Sequence, residues 1–311
     1  MTKLSFAIPS KGRLKENAEA WLSSCGFKLR QVGGGRGYSA ELRGMPDVDV
    51  MLLSAREISE GLISGGLHLG VTGEDLLHDL SRDVPDDVHV LHRLGFGNAD
   101  VVVAVPAAWI DVDTMSDLEA AGAQFRQKHG RRMRVATKYL RLTRRFFAAR
   151  SVGEYRIVES AGATEAAPAA GSAELIVDIT TTGATLRAND LKILSDGLIL
   201  KSEAALTGSK GAAWSADSLT TLRVLLDRFD ARESALLQKK IETGADVSEE
   251  TAMQLEVMWL DSRTLICPEN KVPDVARALA EIGCEPVVVT AVQQIFRSEN
   301  PVYQDFVSQM S

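Results

Sequence analysis

The sequence predicts an α/β protein, and three observations lead to that prediction. The chain has 311 residues with 45% hydrophobic and 25% charged content, so it can bury more than one sizeable core. Aromatic residues make up only 5%, while Ala, Leu, Val and Gly dominate, which is typical of buried aliphatic strands in α/β chains. Short apolar runs alternate with segments of helical periodicity, and this alternation predicts parallel sheets.

Charge and cysteine content exclude several classes of function. The net charge is -7, so the molecule as a whole repels nucleic acid, and any anion site needs a local cluster of donors. No stretch approaches the roughly 18 apolar residues of a membrane span, and residues 1–4 are too short for a signal segment, so we expect a cytoplasmic protein. Cys25, Cys267 and Cys284 form no CxxC pair and the five histidines show no ligand spacing, so we expect no metal held by the protein alone.

The first strand and helix enclose a candidate phosphate loop. An apolar run at Leu4–Ile8 predicts a strand, and apolar residues at three- and four-residue spacing predict a helix that ends near Cys25. The loop between them carries Lys11 and Arg13 where free backbone N–H groups favour an anion. A solvated first turn with a serine cap explains the same residues, and the sequence leaves both interpretations open.

The next segment repeats the pattern of strand, turn and helix. Glycines at 33–37 favour a flexible turn or hairpin, and Val48–Leu53 predicts the second strand. Ser54 and Glu57 then form a capping box that opens a helix. Leu67–Val71 predicts a third strand that leads into another helix start. In a parallel sheet, the loops after these strands meet at one edge and form the ligand crevice.

The pattern restarts after Pro106, which predicts a second α/β lobe and a cleft. We expect lobe I at residues 1–105 and 186–215, lobe II at 106–185, and a third domain at 216–311. In the third domain, an apolar stripe from Leu219 to Leu237 predicts a helix, residues 235–260 are predicted to be helical, and a strand, helix and strand follow. The elements predicted between these landmarks are strands at 88–94, 100–105, 132–136, 174–178 and 191–199 and helices at 113–128 and 139–149.

The most informative segment follows the predicted strand at 174–178. That strand ends in the carboxylate of Asp178, and hydroxyls and a glycine then turn into a helix start, so donors converge on one point. The residues of this loop are Thr180, Thr181, Thr182, Gly183, Ala184 and Thr185. They suit a phosphate monoester, and Asp178 is placed to accept hydrogen bonds from ribose hydroxyls. A threonine-rich turn that only caps a helix is the alternative.

Five motifs in order resemble the ATP phosphoribosyltransferase family over about residues 4–205. The motifs are Ser10–Leu14, Arg56 with Leu69–Asp75, Arg134–Tyr139, Gly162–Pro168 and Asp178–Asn189. The resemblance implies a two-lobed catalytic region like the periplasmic binding proteins, with a small C-terminal α+β domain. It also implies an activity, the first step of histidine biosynthesis, in which the phosphoribosyl group of phosphoribosyl pyrophosphate joins N1 of ATP and pyrophosphate leaves.

The resemblance also places roles on residues. Displacing pyrophosphate builds positive charge on the ribose ring, so we expect catalysis by positioning and electrostatics rather than by a nucleophile. The threonine loop is assigned to the 5-phosphate, and Asp178 and Glu165 to ribose hydroxyls or to Mg²⁺ carried with the substrate pyrophosphate or ATP. Lys11, Arg13, Arg56 and Lys138 are assigned to pyrophosphate and triphosphate charge. Gly73 and Asp75, in the second motif, are expected to contact substrate.

Departures from the family pattern concern mainly the third domain. Ala163 and Thr164 replace the usual Ser-Val before Glu165, and Asp190 replaces a glycine. The third domain resembles the regulatory extension of long-form enzymes, a ferredoxin-like module that binds histidine, at Ala231–Ser234. Since residues 235–260 are predicted to be helical, histidine inhibition is left open. The apolar stripe from Leu219 to Leu237 is too long for one small βα unit to cover, so we expect another subunit to bury it and the domain to serve assembly of a homo-oligomer. A separate regulatory subunit is also left open.

One alternative function comes from another class. A two-lobed cytoplasmic module that binds a small anion or senses an effector without catalysis would share the same cleft. Such a sensor usually carries a DNA-binding or partner domain, and the sequence shows no helix-turn-helix with a basic patch.

Overall fold

Two sheets and their flanking helices build the first 215 residues, and a third sheet follows. The computed structural model describes residues 3–32, 38–160 and 162–310. Its strands are β1 (Leu4–Pro9), β2 (Leu29–Val32), β3 (Ser39–Leu42), β4 (Val48–Leu53), β5 (Leu69–Gly73), β6 (Val88–Arg93), β7 (Asp100–Pro106), β8 (Met133–Thr137), β9 (Tyr155–Glu159), β10 (Leu175–Thr180), β11 (Leu191–Leu200), β12 (Ala204–Ser209), β13 (Gln238–Thr243), β14 (Met258–Asp261), β15 (Thr264–Pro268) and β16 (Val287–Ala291). Its helices are α1 (Gly12–Ser24), α2 (Ala55–Ile63), α3 (Glu74–Leu80), α4 (Val84–Asp87), α5 (Met115–His129), α6 (Leu140–Ala149), α7 (Ala184–Ala188), α8 (Ala216–Ala235), α9 (Glu249–Gln254), α10 (Val272–Glu281) and α11 (Pro301–Ser308).

The first lobe is a seven-stranded sheet in the order β2-β3-β4-β1-β5-β12-β6. Strand β1 pairs in parallel with β4 and β5. Phe6 and Ile8 on one of its faces and Ala7 on the other are fully buried, as expected for a strand covered on both faces. The predicted capping box of α2 is confirmed, since Ser54 and Glu57 exchange side-chain to backbone hydrogen bonds. The predicted turn at 33–37 lies outside the described residues; β2 and β3, on either side of it, pair antiparallel.

The second lobe is a five-stranded sheet in the order β11-β7-β10-β8-β9. Strand β8 runs parallel to β9 and β10, whereas β7 runs antiparallel to β10 and β11. One face of this sheet packs on α5 and α6 through a cluster that includes Val103, Leu118, Tyr139 and Phe147. The α/β class and the two-lobed architecture predicted from the sequence are therefore confirmed.

The chain crosses between the two sheets at residues 94–99 and 201–203. The predicted lobe boundaries, after residues 105 and 185, assigned β7 and β11 to the first lobe. The structure places both strands in the second sheet, so the first crossing comes before β7 and the second comes after β11. Apolar patterning locates a strand but does not identify its hydrogen-bonding neighbours, which explains the difference. The crossings also contact each other, because Ala99 N–H donates to Ser202 O at 2.8 Å and Ala204 N–H to Phe96 O at 2.9 Å.

Residues 216–309 form a second compact unit that also includes residues 22–28 at the end of α1. Its sheet has the order β14-β15-β13-β16 with antiparallel pairing throughout, and α9 and α10 connect the strands in a βαββαβ ferredoxin-like sequence. The prediction of a helix over residues 235–260 is therefore wrong at β13 and β14, whereas α9, within the same range, is helical. Ile241 is buried and pairs across β13 with Leu265 and Val289, so tertiary pairing overrides the helical spacing of the leucines before it.

The apolar stripe of α8 is also covered differently from the prediction. Leu222, Leu225, Leu226 and Phe229 are buried within the single chain. The single chain therefore covers these residues of the stripe, and the expectation that another subunit buries them is wrong. Leu237, which the prediction counted with the stripe, lies after the helix end and is 71% exposed.

Candidate functional site

A cavity of about 600 Å³ lies between the two lobes, where the crossings and the end of β10 meet. Its lining residues are Glu74, Arg93, Asn98, Asp100, Thr180, Thr181, Lys201, Ser202 and Glu203. Two threonines of the predicted phosphate loop thus line the same cavity as the crossing segments. This position, between lobes and at strand ends, is where α/β folds bind ligands.

The threonine loop is shaped by its own hydroxyl groups and by Gly183. Gly183 has φ +71°, a left-handed conformation that glycine adopts at little cost, and its N–H donates to Thr180 Oγ1 at 2.8 Å. Thr181 Oγ1 donates to Asn98 O at 2.9 Å, which fixes the loop to the first crossing. The side chains of Thr181, Thr182 and Thr185 are exposed, so the loop presents hydroxyl groups to solvent.

Asp178, Lys138 and Glu165 come from three separate segments and interact through their charges. Burial raises the pKa of the Asp178 carboxyl above its usual value, and the Glu165 carboxylate raises it further. The Ile179 N–H, 2.8 Å from Asp178 Oδ1, and the Lys138 ammonium act in the opposite direction. The structure therefore brings together three of the predicted site residues at the end of β10.

The predicted cations of the first lobe converge on one edge of its sheet. Lys11 and Arg13 follow β1, and Arg56 follows β4, the parallel neighbour of β1, with Pro9 paired to Leu53. All three cations are exposed; Arg56 forms an ion pair with Glu60 at 3.0 Å. Since parallel strands end at the same edge, α1 and α2 begin side by side there. A cationic edge of this kind suits a polyanionic substrate.

Gly73 and Asp75, predicted to contact substrate, lie where the Asp75 carboxylate turns into the protein. Asp75 is only 7% exposed, and its carboxylate accepts hydrogen bonds from the Tyr139 hydroxyl at 2.5 Å and the Ser202 hydroxyl at 3.1 Å. Gly73 accommodates this inward carboxylate, because a Cβ at that position would lie 2.2 Å from Asp75 Oδ1. The neighbouring Glu74 lines the cavity instead and pairs with Arg93 at 3.0 Å.

Several lining residues were missed from the sequence. They belong to the crossings and their flanks: Arg93, Asn98, Asp100, Lys201 and Glu203. The only available signal was their position at strand ends, which becomes informative once the crossings are known. Within the described ranges, no three His, Cys, Asp or Glu residues are grouped so as to hold a metal ion.

Comparisons with known proteins agree on one family. The family model described as ATP phosphoribosyltransferase matches residues 54–230. An ATP phosphoribosyltransferase of Caulobacter vibrioides strain NA1000 / CB15N is 52% identical over 310 residues, which cover 98% of this chain and 97% of that protein. One from Rhodopseudomonas palustris strain BisB18 is 47% identical over 314 residues, with 97% of each chain covered. The chain belongs to the ATP phosphoribosyltransferase family.

Its fold also has a solved counterpart. The ATP phosphoribosyl transferase (HisG:HisZ) complex from Thermotoga maritima matches with a TM-score of 0.55 and 23% identity, covering 73% of this chain and 98% of that one. At this identity the match shows the fold alone.

Family membership fixes the activity of the enzyme. It is a pentosyltransferase that transfers the phosphoribosyl group of phosphoribosyl pyrophosphate to ATP, the first step of histidine biosynthesis. The alternative of a binding or sensing module without catalysis is set aside by the same relatives. Among the described residues, no helix combines the length and apolar character needed to cross a membrane.

Proposed function

We propose that the threonine loop binds the 5-phosphate of phosphoribosyl pyrophosphate and that Asp178 binds its ribose hydroxyls. The observation that carries this proposal is the position of the loop: Thr180 and Thr181 line the interlobe cavity, and Asp178 precedes them on β10. Donors in the loop suit the 5-phosphate, and a carboxylate just before the loop suits the vicinal hydroxyls of the same sugar. Glu165, which acts electrostatically on Asp178, is the second acceptor for hydroxyls or Mg²⁺.

The same assignment explains how bond cleavage at C1 is assisted. When pyrophosphate leaves, the ribose ring becomes cationic and the leaving group anionic, so fixed charges on both sides lower the barrier. The carboxylates of Asp178 and Glu165 face the ring, and Lys138 with the exposed cations Lys11, Arg13 and Arg56 neutralises pyrophosphate and triphosphate oxygens. N1 of ATP then attacks C1, the bond to pyrophosphate breaks, and no covalent enzyme intermediate is needed.

Magnesium enters this scheme as part of the substrate. Mg²⁺ keeps several waters and is usually bound through one or two carboxylates together with substrate phosphates. Asp178 and Glu165 supply two such carboxylates, and burial plus mutual repulsion make a cation beside Asp178 favourable. When bound, the ion would draw charge from the departing pyrophosphate, while the protein holds the ribose.

The C-terminal unit supports a regulatory role better than the sequence suggested. Its βαββαβ order and four-stranded antiparallel sheet are those of a ferredoxin-like module. Strands β13 and β14 lie where a helix was predicted, so the predicted helix no longer argues against histidine inhibition. We therefore propose histidine as an inhibitor that binds through residues 216–309. A homo-oligomer and a separate regulatory subunit stay predictions; the solved complex named above pairs its enzyme with a second protein.

A direct assay tests the site. Purified protein is mixed with ATP, phosphoribosyl pyrophosphate and Mg²⁺, and the adduct is followed by its absorbance and by mass. We expect Asp178→Asn to lower turnover and to weaken phosphoribosyl pyrophosphate binding. Asp196→Asn should leave both unchanged, because Asp196 is a half-buried carboxylate of the second lobe that pairs with Arg150. Equal behaviour of the two variants would place Asp178 outside the ribose site.

A further inference from the structure

Three polar residues from three separate segments form a buried hydrogen-bonded group that we call the interlobe cluster: Asp75, Tyr139 and Ser202. The Tyr139 hydroxyl donates to Asp75 Oδ2 at 2.5 Å, the Ser202 hydroxyl donates to Oδ1 at 3.1 Å, and Asp75 N–H donates to Ser202 Oγ at 2.9 Å. Burial and the neighbouring Asp75 carboxylate raise the pKa of the Tyr139 phenol, which keeps its proton available for donation. Asp75 thus has both oxygens and its N–H engaged by the protein.

The cluster joins the parts of the chain that make the cleft. Asp75 comes from α3 of the first lobe, Tyr139 lies directly before α6 of the second lobe, and Ser202 lies in the second crossing. Each is a sequence neighbour of residues in the cavity wall or beside Asp178. Those neighbours are Glu74, Lys138, Lys201 and Glu203. A shift of the cluster would therefore displace groups on both sides of the cleft at once.

Helices α3 and α6 add a second set of contacts between the lobes. Asp79 of α3 is buried, and its Oδ1 accepts the N–H groups of Arg141 at 2.9 Å and Leu142 at 3.0 Å, so it caps the start of α6. In return, the guanidinium groups of Arg141 and Arg145 donate to carbonyl oxygens in the last turn of α3. Leu76 of α3 packs on the apolar core of the second lobe. Through α3, the first lobe is anchored on the second.

We infer that the interlobe cluster positions the two lobes for the transfer step and that Asp75 is a positioning residue rather than a substrate ligand. For the transfer, C1 of phosphoribosyl pyrophosphate and N1 of ATP must lie about 3–3.5 Å apart and be aligned. Small misplacements of either substrate reduce the rate steeply. The groups that hold each substrate are attached to different segments, and the cluster is where those segments are hydrogen-bonded together. Removing one of its hydrogen bonds should disturb alignment more than the binding of either substrate alone.

Kinetics of three variants test this inference. Tyr139→Phe removes only the hydroxyl, Asp75→Asn weakens the acceptor, and the double variant removes the same bond by both routes. We expect each single change to lower kcat roughly ten- to hundredfold, with the Kd of each substrate measured alone changed less than threefold. The kcat of the double variant should be no lower than that of the more impaired single variant, because both changes break the same Tyr139–Asp75 hydrogen bond.

A matched control separates positioning from a general loss of structure. Tyr155→Phe makes the same chemical change in the second lobe, where the Tyr155 ring stacks edge-on against Phe147 with centroids 4.7 Å apart, and we expect its kcat to equal that of the wild type. If Tyr139→Phe does not fold, Ser202→Ala replaces it, and Ser202→Thr, which keeps the hydroxyl, should recover part of the rate. Spin labels on Arg43→Cys and Lys128→Cys, one in each lobe, should give a broader distance distribution in Tyr139→Phe than in Tyr155→Phe.

The inference rests on the activity of the family, and wild-type turnover in the same assay checks that activity separately. Asp75→Asn with at least tenfold weaker binding of one substrate, together with wild-type kinetics in Tyr139→Phe, would overturn the inference and make Asp75 a ligand. Equal kcat losses in Tyr139→Phe and the Tyr155→Phe control would also overturn it. So would a double variant whose losses simply multiply.

Discussion

Replacing Gly183 by valine tests the phosphate loop most directly. Gly183 has φ +71°, and a left-handed conformation costs a residue with a Cβ about 1–2 kcal/mol, more when it is β-branched. The new Cβ would also lie 2.8 Å from Arg187 Nη1, the mobile end of a long side chain that can move aside. The loop would therefore relax away from left-handed geometry and lose the hydrogen bond from Gly183 N–H to Thr180.

The consequence for binding follows from that strain. If phosphate binding must restore the native loop, a cost of about 1–2 kcal/mol weakens phosphoribosyl pyrophosphate roughly five- to thirtyfold, before any clash with the ligand. Affinity for ATP should stay at the wild-type value. Calorimetry with each substrate in the presence of Mg²⁺ measures both constants on folded protein.

Gly130 offers a matched control for the backbone effect. It ends α5 in the same left-handed region, with φ +66°, and a Cβ there would meet nothing within 4 Å. Gly130→Val should therefore lower the free energy of unfolding by a similar amount without changing either substrate's affinity. Wild-type affinity for phosphoribosyl pyrophosphate in Gly183→Val, or an equal loss in Gly130→Val, would refute the assignment of the loop.

Three further predictions use other parts of the chain. Asp178→Asn should weaken phosphoribosyl pyrophosphate more than ATP in calorimetry, because only the ribose loses an ionised acceptor; equal losses would contradict its role. Although burial opposes it, hydrogen bonds from Arg131 and Arg134 hold the pKa of Glu174 at about 2, so its stabilising contribution should be present above pH 4.5 and be lost as the pH falls toward about 2. Acid unfolding followed by circular dichroism should show a shallower pH dependence in Glu174→Gln, and an unchanged profile would count against the ion pairs. Histidine at a hundredfold excess over its Kd should raise the free energy of unfolding by about 2.7 kcal/mol and lower turnover, and a melting temperature that histidine does not change would remove it as a ligand.

The regulatory prediction is best tested on the full chain. Residues 22–28 belong with the C-terminal unit, where Phe27 stacks against Phe229 with ring centroids 5.4 Å apart and carries Arg228 over its ring. A truncation at Gly211 would remove the partners of that segment and expose its apolar side chains. Loss of activity or assembly in such a fragment would then report damage to α1 as well as loss of the domain.

Features that depend on near neighbours in sequence could be predicted from the sequence. Ser54 and Glu57 of the capping box are three positions apart, and the turn at Gly183 is closed by a hydrogen bond to the nearby Thr180. Both features can therefore be predicted from short sequence patterns. The strands β1, β4, β7 and β10 were likewise evident as apolar runs bounded by turn residues. Five motifs in the right order were sufficient to indicate the family.

Features that depend on distant partners were decided by the tertiary structure. Asp75 lies in a motif that suggests a ligand, yet its hydrogen bonds go to Tyr139, 64 residues away, and to Ser202, 127 residues away. In the same way, the apolar runs of β7 and β11 are compatible with either lobe, and their hydrogen bonds place them in the second sheet. The segment of β13 was predicted to be helical, but its pairing with β15 and β16 makes it a strand. Apolar periodicity records which side of an element is buried, whereas the partner that buries it depends on how the whole chain packs.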